Sequence, residues 1–88
     1  MIYKVFEQSM EPSIKEGSYL LINRWYRSLS KEDVVVLRVK DMTFVKRIKK
    51  ISGNNIFVVG DNEKVSVDSR QFGWVRKEDI IGKLIKVI

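Results

Sequence analysis

The stretch Val34-Val35-Val36-Leu37-Arg38-Val39-Lys40-Asp41-Met42-Thr43-Phe44-Val45-Lys46-Arg47-Ile48 decides the fold. Its first six residues are mostly β-branched, and such side chains fit a pleated, half-buried surface. Lys40-Asp41-Met42 then makes a tight connection to a second extended run, Thr43 through Ile51, so the two runs read as a hairpin. Strand alternation puts Thr43, Val45 and Arg47 on one face and Phe44, Lys46 and Ile48 on the other. A lysine therefore shares its face with two large apolar side chains.

The same short-strand pattern continues in both directions. Upstream, Ile2 to Phe6 alternates apolar and polar residues and leads into a loop. Pro12 cannot continue a ladder, and Glu16-Gly17-Ser18 marks a turn before a mostly buried strand, Tyr19 to Trp25. Arg27 to Asp33 is a polar loop. Downstream, Ser52-Gly53-Asn54-Asn55 is a turn and Ile56 to Val59 a strand. Gly60 to Arg70, rich in Asp, Asn and Ser, is irregular, and Phe72 to Val75 resumes extended structure. Lys77 to Ile81 reads as one helical turn stopped by Gly82, with Lys83 to Ile88 as a final strand. The expectation is one all-β domain spanning residues 1–88, a small barrel or folded sheet with little helix.

Composition narrows the chemistry. The chain of 88 residues has no His and no Cys, which excludes a Ser-His-Asp triad, a cysteine nucleophile and disulfides. It also argues against a transition-metal site, and no cofactor is expected. The net charge of +6 invites a nucleic-acid or anionic-membrane reading. Apart from Lys46-Arg47 and Lys49-Lys50 the cations are scattered, as on a solvated face, so nucleic acid is disfavoured. No apolar run approaches the roughly 20 residues that span a bilayer, and the first six residues are too short for a secretory signal. As it stands the chain reads as soluble, either cytoplasmic or peripherally bound to a membrane.

One serine and one lysine carry the candidate chemistry. Ser9 lies in Gln8-Ser9-Met10-Glu11-Pro12-Ser13-Ile14, and a serine hydroxyl needs a neighbouring base to become a nucleophile. Without histidine the available base is a lysine, which works only when neutral. Burial among apolar groups lowers a lysine pKa from its usual value near 10.4. From pattern alone, Ser9 reads first as a cap or turn residue and only second as a nucleophile, whereas the apolar face around Lys46 favours an unusual lysine over one more exposed lysine in a basic strand.

Three segments shift that balance: Ser9-Met10-Glu11-Pro12-Ser13-Ile14, Val45-Lys46-Arg47-Ile48, and Gly60-Asp61-Asn62 continuing to Ser66-Val67-Asp68-Ser69-Arg70-Gln71-Phe72-Gly73. In this order and spacing they resemble the boxes of type I signal peptidases, and Ile80-Ile81-Gly82-Lys83 is similar to the segment that follows them. The resemblance runs from Ser9 to Lys83. Its Gly-Asp-Asn stretch is the specific part, whereas Ser-Met-x-Pro is shared with self-cleaving repressors of the DNA-damage response.

The resemblance implies that Ser9 is the nucleophile and Lys46 the general base. Ser66 would orient the lysine amine, while Asp68 with Arg70, and Arg47 with Asp61, would support the site as paired charges. An extended substrate would add a strand beside the serine and lysine segments, with Val5, Phe6, Met10, Ile14, Phe44, Val45 and Val67 lining shallow apolar pockets. Such pockets suit a small residue before the scissile bond.

The chain also departs from the pattern. Glu7 stands where the family commonly has Ser or Gly as a second oxyanion donor, so it must point away or lower activity. Ser18 and Glu32 replace a usual Asp and Gly. The chain starts eight residues ahead of Ser9, where relatives carry a membrane anchor, and it lacks their insertions. The sequence therefore implies a stripped catalytic core that cleaves an extended peptide or precursor. Its partners would include a peripheral membrane contact or a membrane-anchored protein. The alternative is a catalytically weak binding module for nucleic acid or anionic membrane, and self-cleavage ranks last.

Overall fold

The computed structural model describes residues 1–88. The deciding stretch forms the predicted hairpin. Strand β3 (Val34–Val39) pairs antiparallel with β4 (Met42–Ser52) in the register Val36↔Val45 and Val35↔Lys46. The connecting Lys40 and Asp41 both have positive φ, 48° and 67°. That conformation matches the twist of the flanking strands in a two-residue hairpin.

Five further strands complete one sheet: β1 (Ile2–Lys4), β2 (Tyr19–Asn23), β5 (Asn55–Val59), β6 (Val75–Arg76) and β7 (Ile80–Val87). Their order is β1-β2-β7-β3-β4-β5-β6, and every pairing is antiparallel. The all-β expectation holds, with one helical turn, α1 (Ser69–Phe72), and a 3-10 turn over Lys77–Asp79.

Because side chains alternate, the central strands supply two cores. Val36 and Val45 join Val5, Met10, Ile14, Leu20 and Ile22 in one buried cluster. Val35, Leu37 and Ile48 join Ile56, Val58, Val75 and Ile80 in the other. Burying each such aliphatic side chain contributes about 1.5–3 kcal/mol, so each face is an independent source of stability.

Three local expectations are corrected. β1 ends at Lys4: the Val5 N–H still meets the Ser18 carbonyl in register, but the Val5 carbonyl accepts from Gly17 instead of Ser18, so the ladder slips where the Val5 side chain enters the core. The segment expected to be extended from Phe72 begins as helix: the Asp68 carboxylate accepts the Arg70 N–H, and the Gln71 side chain reaches back to the Asp68 N–H. That reciprocal cap explains a turn of helix in a run of otherwise strand-like residues.

Gly82, read as a helix stop, lies inside β7. A Cβ there would collide with Ile22 Cγ2 and stand 2.9 Å from the Asn23 carbonyl. Glycine is needed for close approach to β2, which has a bulge between Leu21 and Ile22.

Candidate active site

Chain direction and sheet order bring three sequence segments to one place. The loop after β1 carries Glu7 and Ser9, β4 carries Lys46, and the segment between β5 and α1 carries Ser66 and Asp68. Gly60 makes the junction possible. A Cβ on it would overlap Ser66 Oγ and lie 2.6 Å from the Ser9 carbonyl oxygen. Next door, the Asn62 N–H bonds that same carbonyl at 2.7 Å, and Asn62 Nδ2 donates to the Gln8 carbonyl at 3.2 Å. The Gly-Asp-Asn run thus clamps the serine loop through its backbone.

Lys46 is 1% exposed. As alternation requires, it keeps company with Phe44, whose ring centroid lies 5.3 Å from Nζ. Burial depresses its pKa below the ordinary lysine value; the carboxylates of Glu7 and Asp68 oppose that shift, and Arg70 reinforces it. Nζ donates to Ser66 Oγ at 3.3 Å, and the Ser66 hydroxyl donates its own proton to Asp68 Oδ2 at 2.6 Å. With its proton committed to Asp68, Ser66 presents a lone pair to the lysine, which fixes the direction of the amine.

Asp68 is fully buried and collects five hydrogen bonds: from Gly60 N–H, Ser66 Oγ, and the Arg70 N–H, Nε and Nη2. Burial alone would raise its pKa. The donors, led by the Arg70 guanidinium, outweigh burial and hold the carboxyl well below the usual carboxylate range. Arg47 grips Asp61 through two parallel bonds of 2.9 and 2.8 Å and also donates to the Glu32 carbonyl. Hydrogen bonding from Arg47 likewise lowers the Asp61 pKa. Both ion pairs implied by the sequence motif are therefore present, as is the Lys46–Ser66 contact.

Ser9 is 4% exposed, and its N–H has no intramolecular acceptor, which leaves it free as an oxyanion donor. Its hydroxyl, however, does not bond Lys46. It donates to Glu7 Oε1 at 2.8 Å, and the same oxygen accepts the Val45 N–H at 3.1 Å and lies 3.5 Å from Lys46 Nζ. Glu7 points inward and bridges the two candidate catalytic side chains.

An open groove of about 440 Å³ passes over this cluster. Phe6, Phe44 and Val67, expected to line it, do so together with Met42 and Val65. Val5, Met10, Ile14 and Val45 belong instead to the buried core beneath and are not groove walls. Alternation explains this for Val45, whose side chain faces away from Lys46. Glu7 and Gly60 gave a sequence signal, a charge in an oxyanion position and an unusual Gly-Asp-Asn turn. Met42 and Val65 gave none beyond being apolar.

The fold and the sequence define a peptidase-like family. The chain matches the Peptidase S24-like family over residues 1–85 and belongs to that family as a type I signal-peptidase-like member. It is 25% identical to signal peptidase I V of Bacillus subtilis (strain 168) over an alignment of 135 residues, which covers 91% of this chain and 80% of that protein. The alignment is longer than the chain, so the relative carries inserted segments that this chain lacks. No helix is long and apolar enough to cross a membrane.

Proposed function

We propose that the protein is a Ser-Lys endopeptidase of the signal-peptidase type. Ser9 attacks the scissile carbonyl, Lys46 takes the hydroxyl proton, and the Ser9 N–H steadies the developing oxyanion. One observation carries this reading: a lysine 1% exposed, depressed in pKa by burial, aimed by a serine hydroxyl and lining one groove with a nearly buried serine. Taking that amine out of water carries a desolvation penalty that a methionine filling the same space would not incur.

The groove also offers a strand edge. β5 pairs with β4 only from Arg47 onward, so the Met42–Lys46 side away from β3 has no partner strand. An extended peptide fits there by strand addition, with its side chains against Phe44, Val65 and Val67. Walls this shallow and apolar favour a small residue before the cleaved bond. The substrate is accordingly an extended precursor or signal peptide.

Ser9→Ala and Lys46→Ala proteins, assayed on internally quenched peptides with alanine at the cleaved position, test the reading. Both should lose cleavage while keeping their thermal melts, and undiminished turnover by Lys46→Ala would sink the dyad. A binding-module reading draws on the Glu7 bridge, since the candidate dyad lacks a direct hydrogen bond. Salt-sensitive capture of nucleic acid or anionic vesicles without any peptide cleavage would favour it.

A further inference from the structure

Glu7 occupies the position that a cleaved peptide end would need. Its Oε1 is held at once by a serine hydroxyl, a backbone N–H on an unpaired strand edge, and a lysine ammonium. A peptide strand added to the Met42–Lys46 edge must use the Val45 N–H, and its acyl group must reach Ser9 Oγ. Both partners are engaged by one side-chain oxygen. Hydrolysis would leave a C-terminal α-carboxylate with the same charge and acceptor geometry beside the same three groups.

We propose that Ser9 Oγ, the Val45 N–H and Lys46 Nζ form a carboxylate-binding subsite for peptide C-termini, and that Glu7 is its built-in competitor. The substrate enters the groove by displacing this side chain, and Glu7 in turn expels the acyl product after cleavage. Glu7 suits the role because it is partly exposed, its side chain retaining 26% of its accessible surface at the groove. It can swing toward solvent without burying its own charge, and the Lys46 amine it uncovers then faces the incoming peptide. The surrounding charges agree with this assignment. Asp68 is neutralised by Arg70, and Glu16, the other acid lining the groove, is tied to Gln8 Nε2. Lys46 is therefore left with Glu7 as its ion-pair partner.

The inference takes its guest, a peptide, from the endopeptidase reading, but its test measures binding apart from cleavage. A short alanine-ended peptide is titrated as the free acid and as the C-terminal amide into wild type, Glu7→Ala and Glu7→Gly, followed by backbone amide shifts. Wild type should bind both forms weakly and alike. Either variant should bind the free acid about tenfold or more tightly, with little gain for the amide, because a charge-assisted site is then vacant.

The Val45 amide resonance should shift with the acid in the variants. Equal gains for acid and amide, or no gain, would overturn the proposal. Selective acid binding with no hydrolysis by any of the three proteins would support this subsite while refuting the endopeptidase.

Discussion

Replacing Glu7 with Gln removes a charge while keeping the occupant's shape and its acceptor oxygen. Unit charges 3.5 Å apart, the Glu7–Lys46 separation, attract by about 1 kcal/mol in a water-like dielectric and about 5 kcal/mol at an effective dielectric of about 20. At 1.36 kcal/mol per pH unit, the carboxylate supports the ammonium by about 1 to 3.5 units. Glu7 is partly exposed, so screening places the expected value in the lower half of that range, about 1–2 units. The sign follows from charge: without Glu7 the ammonium is less favoured, and burial depresses the Lys46 pKa further. In a pH profile of kcat/KM for an internally quenched peptide, activity should rise as Lys46 loses its proton. The Glu7→Gln profile should reach half its plateau about 1–2 pH units lower than wild type. A direct check is the Lys46 Nζ titration followed by NMR. Coincident profiles, or a shift to higher pH, would refute the assignment of Lys46 as the titrating base beside Glu7.

Gly60→Ala should cost about 1–3 kcal/mol by overpacking against Ser66 and the Ser9 carbonyl. In a domain of this size that is a loss of roughly 5 to 20 °C in Tm, and turnover should fall further than stability does because Ser66 no longer aims Lys46. Asp68→Ala leaves the buried Gly60 N–H and Ser66 hydroxyl without their acceptor, so urea melts should show a loss of about 2–5 kcal/mol, and under 1 kcal/mol would contradict the five-bond description. Wild-type stability should also fall in acid. The Asp68 and Asp61 pKa values are depressed in the folded state, so their contribution is present above the unfolded carboxylate value near 3.9 and is lost as pH drops through the folded values. Asp61→Asn should flatten that acid limb, as read by thermal melts from pH 5 to pH 2.

The sheet was legible because its strands obey a period of two, and the Val34–Ile48 hairpin contained both alternation and turn. The elements that misled depend on partners far along the chain. Gly82 looks like punctuation until Ile22 and Asn23 are seen against it, and α1 depends on a cap whose residues also serve the site. The paired charges were legible through the resemblance, Asp68–Arg70 in the Ser-x-Asp-Ser-Arg run and Arg47–Asp61 in the lysine segment and the Gly-Asp-Asn run. The inward turn of Glu7 was not, since nothing near residue 7 reveals that the Val45 N–H and Lys46 Nζ wait across the groove. Likewise, apolar residues near the site could not be sorted into wall and core without knowing which face of each strand meets the groove.

β7 lies between β2 and β3 in the sheet, although it is the latest strand in sequence. The arm that bears the serine and the arm that bears the lysine are thus sutured by residues 80–87. In chain order both arms are complete before the strand that joins them within the sheet. Separating this strand from the remainder and adding it back as a peptide would offer a way to ignite or extinguish the molecule from outside.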